Sequence, residues 1–244
     1  MFSLFARAMN EAHKVTGDTC EGSEHPAILG YLCSASTPRG SYTDLPYSLW
    51  AYLCDYPLDG WSMEHLTRIE HLTADPRPTL YCGAGSGRMA KWLLSQGIPC
   101  ACIDISDDAI ELMTRRGVAC EKMNVCAMTF ADSSHERVVL HSDGLLESMA
   151  SPLACLTEAA RVASDRVVVC GYQLDPAVTV PMAWSMDWNG EHEADTYFSH
   201  PMAVVEGILE GLGMTLVLRR TWSEDDAPPG GDLWGIQYLI EARW

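Results

Sequence analysis

The sequence predicts an α/β protein: a doubly wound, mostly parallel seven-stranded sheet behind a helical N-terminal region. Three observations carry that expectation. From Pro78 onward, short apolar runs alternate with helix-length segments, the pattern of strand–helix–strand units. One run, Thr79-Leu-Tyr-Cys, opens into Gly83-Ala-Gly85-Ser-Gly87 and then a helix. The last two strand candidates, Met214–Thr221 and Leu233–Arg243, face each other across a turn-rich linker, as an antiparallel pair would.

Taken in order, residues 1–76 lack strand alternation and form a separate helical lid or cap. Helical stretches cover roughly Leu4–Lys14, Pro26–Cys33, Pro46–Cys54 and Ser62–Leu72, broken by Gly and Pro. Between them lies an aromatic segment from Tyr42 through Tyr47 and Trp50 to Trp61. It reads either as a satellite core or as a lid whose rings face a ligand. Residues 77–244 form the main domain. Its strands are expected at Thr79–Cys82, Cys100–Asp104, Ala119–Met123, Arg137–His141 and Arg166–Gly171. The helix Ser86–Gln96 stops at Gly97, and the helix Asp107–Arg115 opens at the N-cap Ser106 and stops at Gly117. Ser151–Ala163 opens Ser-Pro, an N-cap followed by proline at the first helical position. Residues 172–200 read as a long loop rich in Trp and acids, and Pro201–Leu212 as a helix closed by Gly213.

Composition narrows the function classes. At 244 residues with 48% apolar and 20% charged content, the chain can bury a full core. The formal charge of −17 repels phosphate backbones, so nucleic-acid binding is disfavoured. A cationic or zwitterionic small molecule is compatible with that field, as is a plain solubility role for the acids. The ten cysteines form no CxxC pair, and several sit in apolar strands where a reduced thiol acts as a small hydrophobe. No apolar run has the length of a membrane span, and the N-terminus lacks the pattern of a signal peptide. The expectation is a soluble, reduced, cytoplasmic protein without a membrane partner.

The glycine run reads as a cofactor seat, because side chains there would block something lying against the backbone. The next strand, Cys100-Ala-Cys-Ile-Asp104, ends in an acid seventeen positions after Gly87. A carboxylate at that edge can accept both hydroxyls of a ribose. The plainer role, capping the following helix, falls to Ser106.

These features resemble class I S-adenosylmethionine-dependent methyltransferases. The resemblance rests on the glycine loop, on Cys102-Ile-Asp-Ile-Ser106, and on Ser142-Asp-Gly-Leu-Leu-Glu-Ser148, similar to the family's Ser-x-x-x-Leu-Glu-His stretch after the fourth strand. A nicotinamide enzyme of related fold shares only the first two. The resemblance implies a Rossmann-like methyltransferase fold with S-adenosylmethionine as cofactor. By position it implies that Tyr81, Gly83, Ala84, Gly85 and Gly87 line the cofactor, with Asp104 on the ribose and Ile105 on the adenine face. Asn124 and Val125 would meet the adenine edge, and Ser142 the methionine end. Two positions depart from the pattern. Tyr81 stands where the family has an acid for the cofactor's ammonium, and Ser148 replaces a frequent His.

Methyl transfer from a sulfonium leans on proximity, and it needs a base only when the nucleophile arrives protonated. Asp143, Tyr42 and His141 are the candidates for that role. Residues 172–200 lie where the family places a substrate roof, and Tyr47, Trp184, Trp188, Tyr197 and His200 are the substrate-binding candidates. Aromatic faces beside acids suit a cationic amine. Glu191-His-Glu-Ala-Asp195 is consecutive in an expected loop, so no metal is assigned. The resemblance implies methyl transfer to N, O or C of a small metabolite, in specialised metabolism. An alternative on the same fold is an azetidine-forming cyclase that releases methylthioadenosine. A non-catalytic cofactor-binding relative is a further one.

Overall fold

A computed structural model describes residues 70–140, 145–188, 191–222 and 236–244. After a helical stretch over 70–74 come β1 (Thr79–Cys82), α1 (Arg88–Ser95), β2 (Cys100–Asp104), α2 (Asp107–Arg115), β3 (Cys120–Lys122) and β4 (His135–Leu140). There follow α3 (Leu153–Val162), β5 (Ala163–Gln173), β6 (Val180–Trp188), β7 (Glu191–Ser199), α4 (Met202–Gly211), β8 (Thr215–Trp222) and β9 (Ile236–Arg243).

Seven strands form one sheet in the order β3-β2-β1-β4-β5-β9-β8. The first five pair in parallel, while β9 runs antiparallel to both β5 and β8. The chain starts mid-sheet at β1, winds outward to β3, then crosses back to β4. That reversal between β1 and β4 opens a crevice at the carboxyl ends of the strands. The register makes the crevice level: Cys82 lies beside Ile103 on one side and Leu140 on the other. The glycine run, Asp104 and the carboxyl end of β4 at Leu140 therefore lie at one edge.

Burial explains why these segments became strands and helices. Val138, Val139 and Leu140 of β4 and Val167 to Cys170 of β5 are almost wholly buried, as central parallel strands covered on both faces require. Alternation splits β1: Tyr81 enters the layer shared with α1 and α2, whereas Leu80 and Cys82 enter the layer under α3 and α4. Helix α1 buries Met89, Ala90 and Leu93, and α2 buries Ala109, Leu112 and Met113, each a single helical stripe. Ser106 caps α2 by accepting the Ala109 N–H at 3.3 Å.

At the opposite edge a buried ionic network fixes residues 71–77 to the sheet. The guanidinium of Arg137, only 1% exposed, donates to Thr79 Oγ1 at 2.8 Å and to the carbonyls of Leu72, Asp75 and Arg77. Burial brings its pKa down to about 10 against the pull of Asp75. Arg166 reaches Asp75 and Glu241, and His71 Nε2 lies 2.6 Å from Glu241 Oε2. Every donor in this cluster has an acceptor, which is the condition for burying such charges.

Two expectations need correction. Residues 172–200 are no loop. Strand β5 extends to Gln173, and β6 and β7 form a hairpin of nine registered pairs from Val180 opposite Ser199 to Trp188 opposite Glu191. Glu191–Asp195 accordingly lies in β7. Asn189 and Gly190 stand between the two strands in sequence. The third helix also starts one residue late: Pro152 is the N-cap, without a side-chain cap bond, and Leu153 is the first helical residue.

Candidate functional site

The loop between β1 and α1 is built on three left-handed glycines, with φ of 66° at Gly83, 53° at Gly85 and 71° at Gly87. Residues with a Cβ are strained there. Packing adds a second constraint at two of them. A Cβ on Gly83 would meet Leu145 Cδ1 at 3.0 Å, and one on Gly87 would meet Met113 Cγ at 2.4 Å. The glycines thus serve the protein's own close packing as well as leaving backbone bare. Gly83 and Ala84 N–H groups both bond the Ile103 carbonyl, and Gly87 N–H bonds the Ala84 carbonyl at 2.9 Å. Helix α1 then begins at Arg88 without a side-chain cap bond from Gly87.

Asp104 holds this loop to the next strand. Its Oδ2 accepts Gly85 N–H at 2.7 Å and its Oδ1 accepts Ser106 N–H at 2.9 Å. The residue is 9% exposed. Burial pushes its carboxyl above the usual range, against the backbone N–H groups of Ser106, Gly85 and Ile105 that favour the anion. Each carboxylate oxygen keeps a second acceptor position. A vicinal pair of hydroxyls is therefore still within the capacity of this group, and the residues fit a ribose.

The remaining cofactor candidates divide. Ile105 is half-buried beside Asp104 at the strand end. Asn124 starts a turn after β3: its Oδ1 accepts Cys126 N–H at 2.9 Å and its carbonyl accepts Ala127 N–H at 3.0 Å. Val125 buries its side chain under the sheet, so only its backbone can serve a ligand. Tyr81 is fully buried, its ring grouped with residues of the α1 and α2 layer.

His200 also lies elsewhere than expected. It is 1% exposed, with Nε2 placed 3.1 Å from the Leu146 carbonyl and 2.8 Å from the Met149 carbonyl. A ring with both edges engaged inside the protein offers nothing to a substrate. Trp184 stands in β6 opposite Asp195, Trp188 opposite Glu191, and Tyr197 in β7 opposite Met182. Tyr42, Tyr47, His141, Ser142 and Asp143 lie outside the described residues. Sequence reasoning missed Leu145 and Met113 as partners of the glycine loop. Their only signal was apolar character beside the motifs, which does not reveal a contact across layers.

The described cysteines are free thiols. Burial pushes Cys120 up to about 12 and Cys126 up to about 11, so these two stay protonated and unreactive near neutrality. Among the described residues no group of three His, Cys, Asp or Glu side chains could hold a metal ion. No helix among them is long and apolar enough to cross a membrane.

This strand order, with its antiparallel last pair, its glycine turn after β1 and its acid ending β2, defines a class I methyltransferase fold. Residues 80–169 match a family model described as a methyltransferase domain. Solved structures agree on the fold. An S-adenosylmethionine-dependent methyltransferase from Methanosarcina mazei superposes with a TM-score of 0.58 at 16% identity, over 72% of this chain and 96% of that one. The 1,6-didemethyltoxoflavin-N1-methyltransferase of Burkholderia thailandensis, with 1,6-didemethyltoxoflavin and S-adenosylhomocysteine bound, gives 0.53 at 15% identity over 91% and 92%. Magnesium protoporphyrin IX methyltransferase from Synechocystis PCC 6803, with S-adenosylmethionine bound, gives 0.52 at 13% identity over 74% and 79%. No curated protein matches the chain in sequence.

Proposed function

We propose that this chain transfers a methyl group from S-adenosylmethionine to N, O or C of a small molecule. The observation that carries the reading is the Asp104 carboxylate, fixed by Gly85 and Ser106 N–H groups at the mouth of the crevice. It clamps the glycine loop while keeping acceptor capacity at the strand end. The cofactor supplies a methyl already activated by a positive sulfur. The chain's part is then to hold, orient and exclude water. Asp104 holds the ribose, Gly83 to Gly87 present backbone to the methionine and ribose portions, and Asn124 with the Val125 backbone meets the adenine edge. Ser142 and Asp143 follow β4 in sequence and serve the methionine end and the acceptor, with Asp143, His141 or Tyr42 available to take a proton where the acceptor carries one.

The β6–β7 hairpin and residues 1–76 are the roof and lid in this reading. Hairpin register supports a cationic or zwitterionic acceptor. In the backbone register Trp184 lies opposite Asp195 and Trp188 opposite Glu191, which sets aromatic positions across from acidic ones. The overall charge of −17 favours the same class of ligand.

Calorimetry with S-adenosylmethionine and S-adenosylhomocysteine, with a nicotinamide cofactor as control, tests the seat. Incubation with S-adenosylmethionine and a pool of small amines, phenols and enols, read by mass spectrometry, tests the reaction. Methylated product with S-adenosylhomocysteine, formed only when acceptor is present, is the expected outcome. Methylthioadenosine accumulating without acceptor would replace transfer by intramolecular cyclisation. Tight binding without turnover would leave a binding protein.

A further inference from the structure

We propose that His200 is a positioning residue: it ties the return leg of the β6–β7 hairpin to the 145–149 turn and, through Leu145, to the glycine loop. The cofactor reading above enters only through the ligand used in one arm of the test.

The two carbonyls facing Nε2, those of Leu146 and Met149, are acceptors only, so Nε2 carries the hydrogen. Nδ1 is then the acceptor, and Thr179 Oγ1 donates to it at 3.3 Å. Burial holds the imidazole's pKa down, against the backbone carbonyls of Met149 and Leu146, which keeps this neutral tautomer in place. One imidazole thus forks two carbonyls three residues apart and sets the spacing of the turn.

Neighbouring bonds make the hairpin end rigid. Phe198 N–H bonds the Glu147 carbonyl at 2.8 Å, and the Phe198 ring stacks on His200 with centroids 6.4 Å apart. Ser199 Oγ accepts Leu174 N–H at 2.7 Å, and Tyr238 OH reaches the His200 carbonyl at 3.4 Å. On its other side the turn carries Leu145, whose side chain fills the place a Cβ on Gly83 would need. Contacts therefore run without a break from the hairpin, through His200 and the turn, to the first glycine of the loop. An apolar residue would fill the same volume but leave the Met149 carbonyl without the imidazole N–H and the Leu146 carbonyl with only the Met149 N–H at 3.1 Å, so the turn would lose its side-chain tie to the hairpin end.

The test compares His200→Leu with His200→Gln in the full chain. Glutamine keeps an N–H donor at about the reach of Nε2; leucine does not. Hydrogen exchange is followed at amides 145–149 and 83–87, and S-adenosylhomocysteine affinity by calorimetry. His200→Leu is expected to speed exchange at both segments by about tenfold, leaving β1 and β2 amides unchanged, and to weaken affinity by about five- to tenfold. His200→Gln should recover most of both. Thr179→Val, in a half-exposed loop, removes only the hydroxyl. It should show the same pattern more weakly, and it decides the matter if His200→Leu does not fold. Uniform loosening of the whole sheet, unchanged exchange at 83–87, or a glutamine variant no better than leucine would overturn the proposal. If the wild-type chain binds no S-adenosylhomocysteine, the cofactor reading fails, while the exchange arm still decides the role of His200.

Discussion

Asp104→Asn separates two jobs that the wild-type carboxylate performs together. In the structure Oδ2 meets Gly85 N–H at 2.7 Å and Oδ1 meets Ser106 N–H at 2.9 Å. Asparagine keeps one acceptor and turns the other into an NH2 facing a backbone N–H. One buried donor loses its partner, at a cost of about 1–3 kcal/mol. Relief from burying a charge, the same burial that raises this carboxyl's pKa, offsets part of that. The melting temperature should fall by about 2–10 °C. Binding should suffer separately. Loss of a charged acceptor for ribose hydroxyls costs about 1.5–3 kcal/mol, or about ten- to a hundredfold in affinity for S-adenosylhomocysteine. Thermal unfolding of the free protein reads the first effect and calorimetric titration the second. A lower melting temperature with unchanged affinity would refute the ribose assignment and leave Asp104 as a loop clamp. An unchanged melting temperature would refute the hydrogen-bond account itself.

The remaining predictions concern packing and protons. Gly87→Ala combines a left-handed φ of 71° with a Cβ only 2.4 Å from Met113 Cγ, and should cost about 2–4 kcal/mol in denaturant unfolding. Adding Met113→Ala should return the packing part and not the backbone part, whereas simple additivity of the two losses would sink this explanation. Burial works against ionisation of Glu241, but hydrogen bonds from His71 and Arg243 and the charge of Arg166 bring its pKa down to about 2 from an ordinary 4.5. A folded value below the unfolded one means stability present above the ordinary value and lost as pH falls toward 2. The amount is about 3 kcal/mol, and unfolding curves of Glu241→Gln across that range should be correspondingly flat. Cofactor affinity should also fall as pH falls. Burial holds the Asp104 carboxyl above its ordinary value, so binding should begin to weaken at a higher pH than an ordinary carboxylate would give. Asp104→Asn should remove that dependence.

Much of the sheet was legible because buried parallel strands leave continuous apolar runs, as in Arg137-Val-Val-Leu140 and Arg166-Val-Val-Val-Cys170. Helix ends were legible where glycine takes the left-handed exit, as at Gly97 and Gly117, with φ of 76° at both. The β6–β7 hairpin was read as loop from its content of Trp and acids, although Trp184-Ser-Met-Asp-Trp188 alternates apolar and polar residues as a half-buried strand does. Asn189-Gly190 between the strands was the local signal that would have found it. In the site, Asp104 could be placed because a strand end and a motif coincide there. The burial of Tyr81 and His200 could not, since it depends on which layer each side chain enters and which carbonyls converge on it.

Tyr81 has a consequence for how this loop can change. The ring is wholly enclosed between the sheet and the α1–α2 layer. A carboxylate introduced there by Tyr81→Asp would enter an apolar interior, with the volume of a phenol left vacant around it. An acidic form of the loop therefore cannot be reached by that one substitution. It would have to be accompanied by repacking of neighbours such as Met89 and Met113, or a second route would have to open for the acid to reach solvent. The residue at position 81 is locked in by its surroundings, and any alternative grip on the cofactor's amine has to arise from another part of the chain.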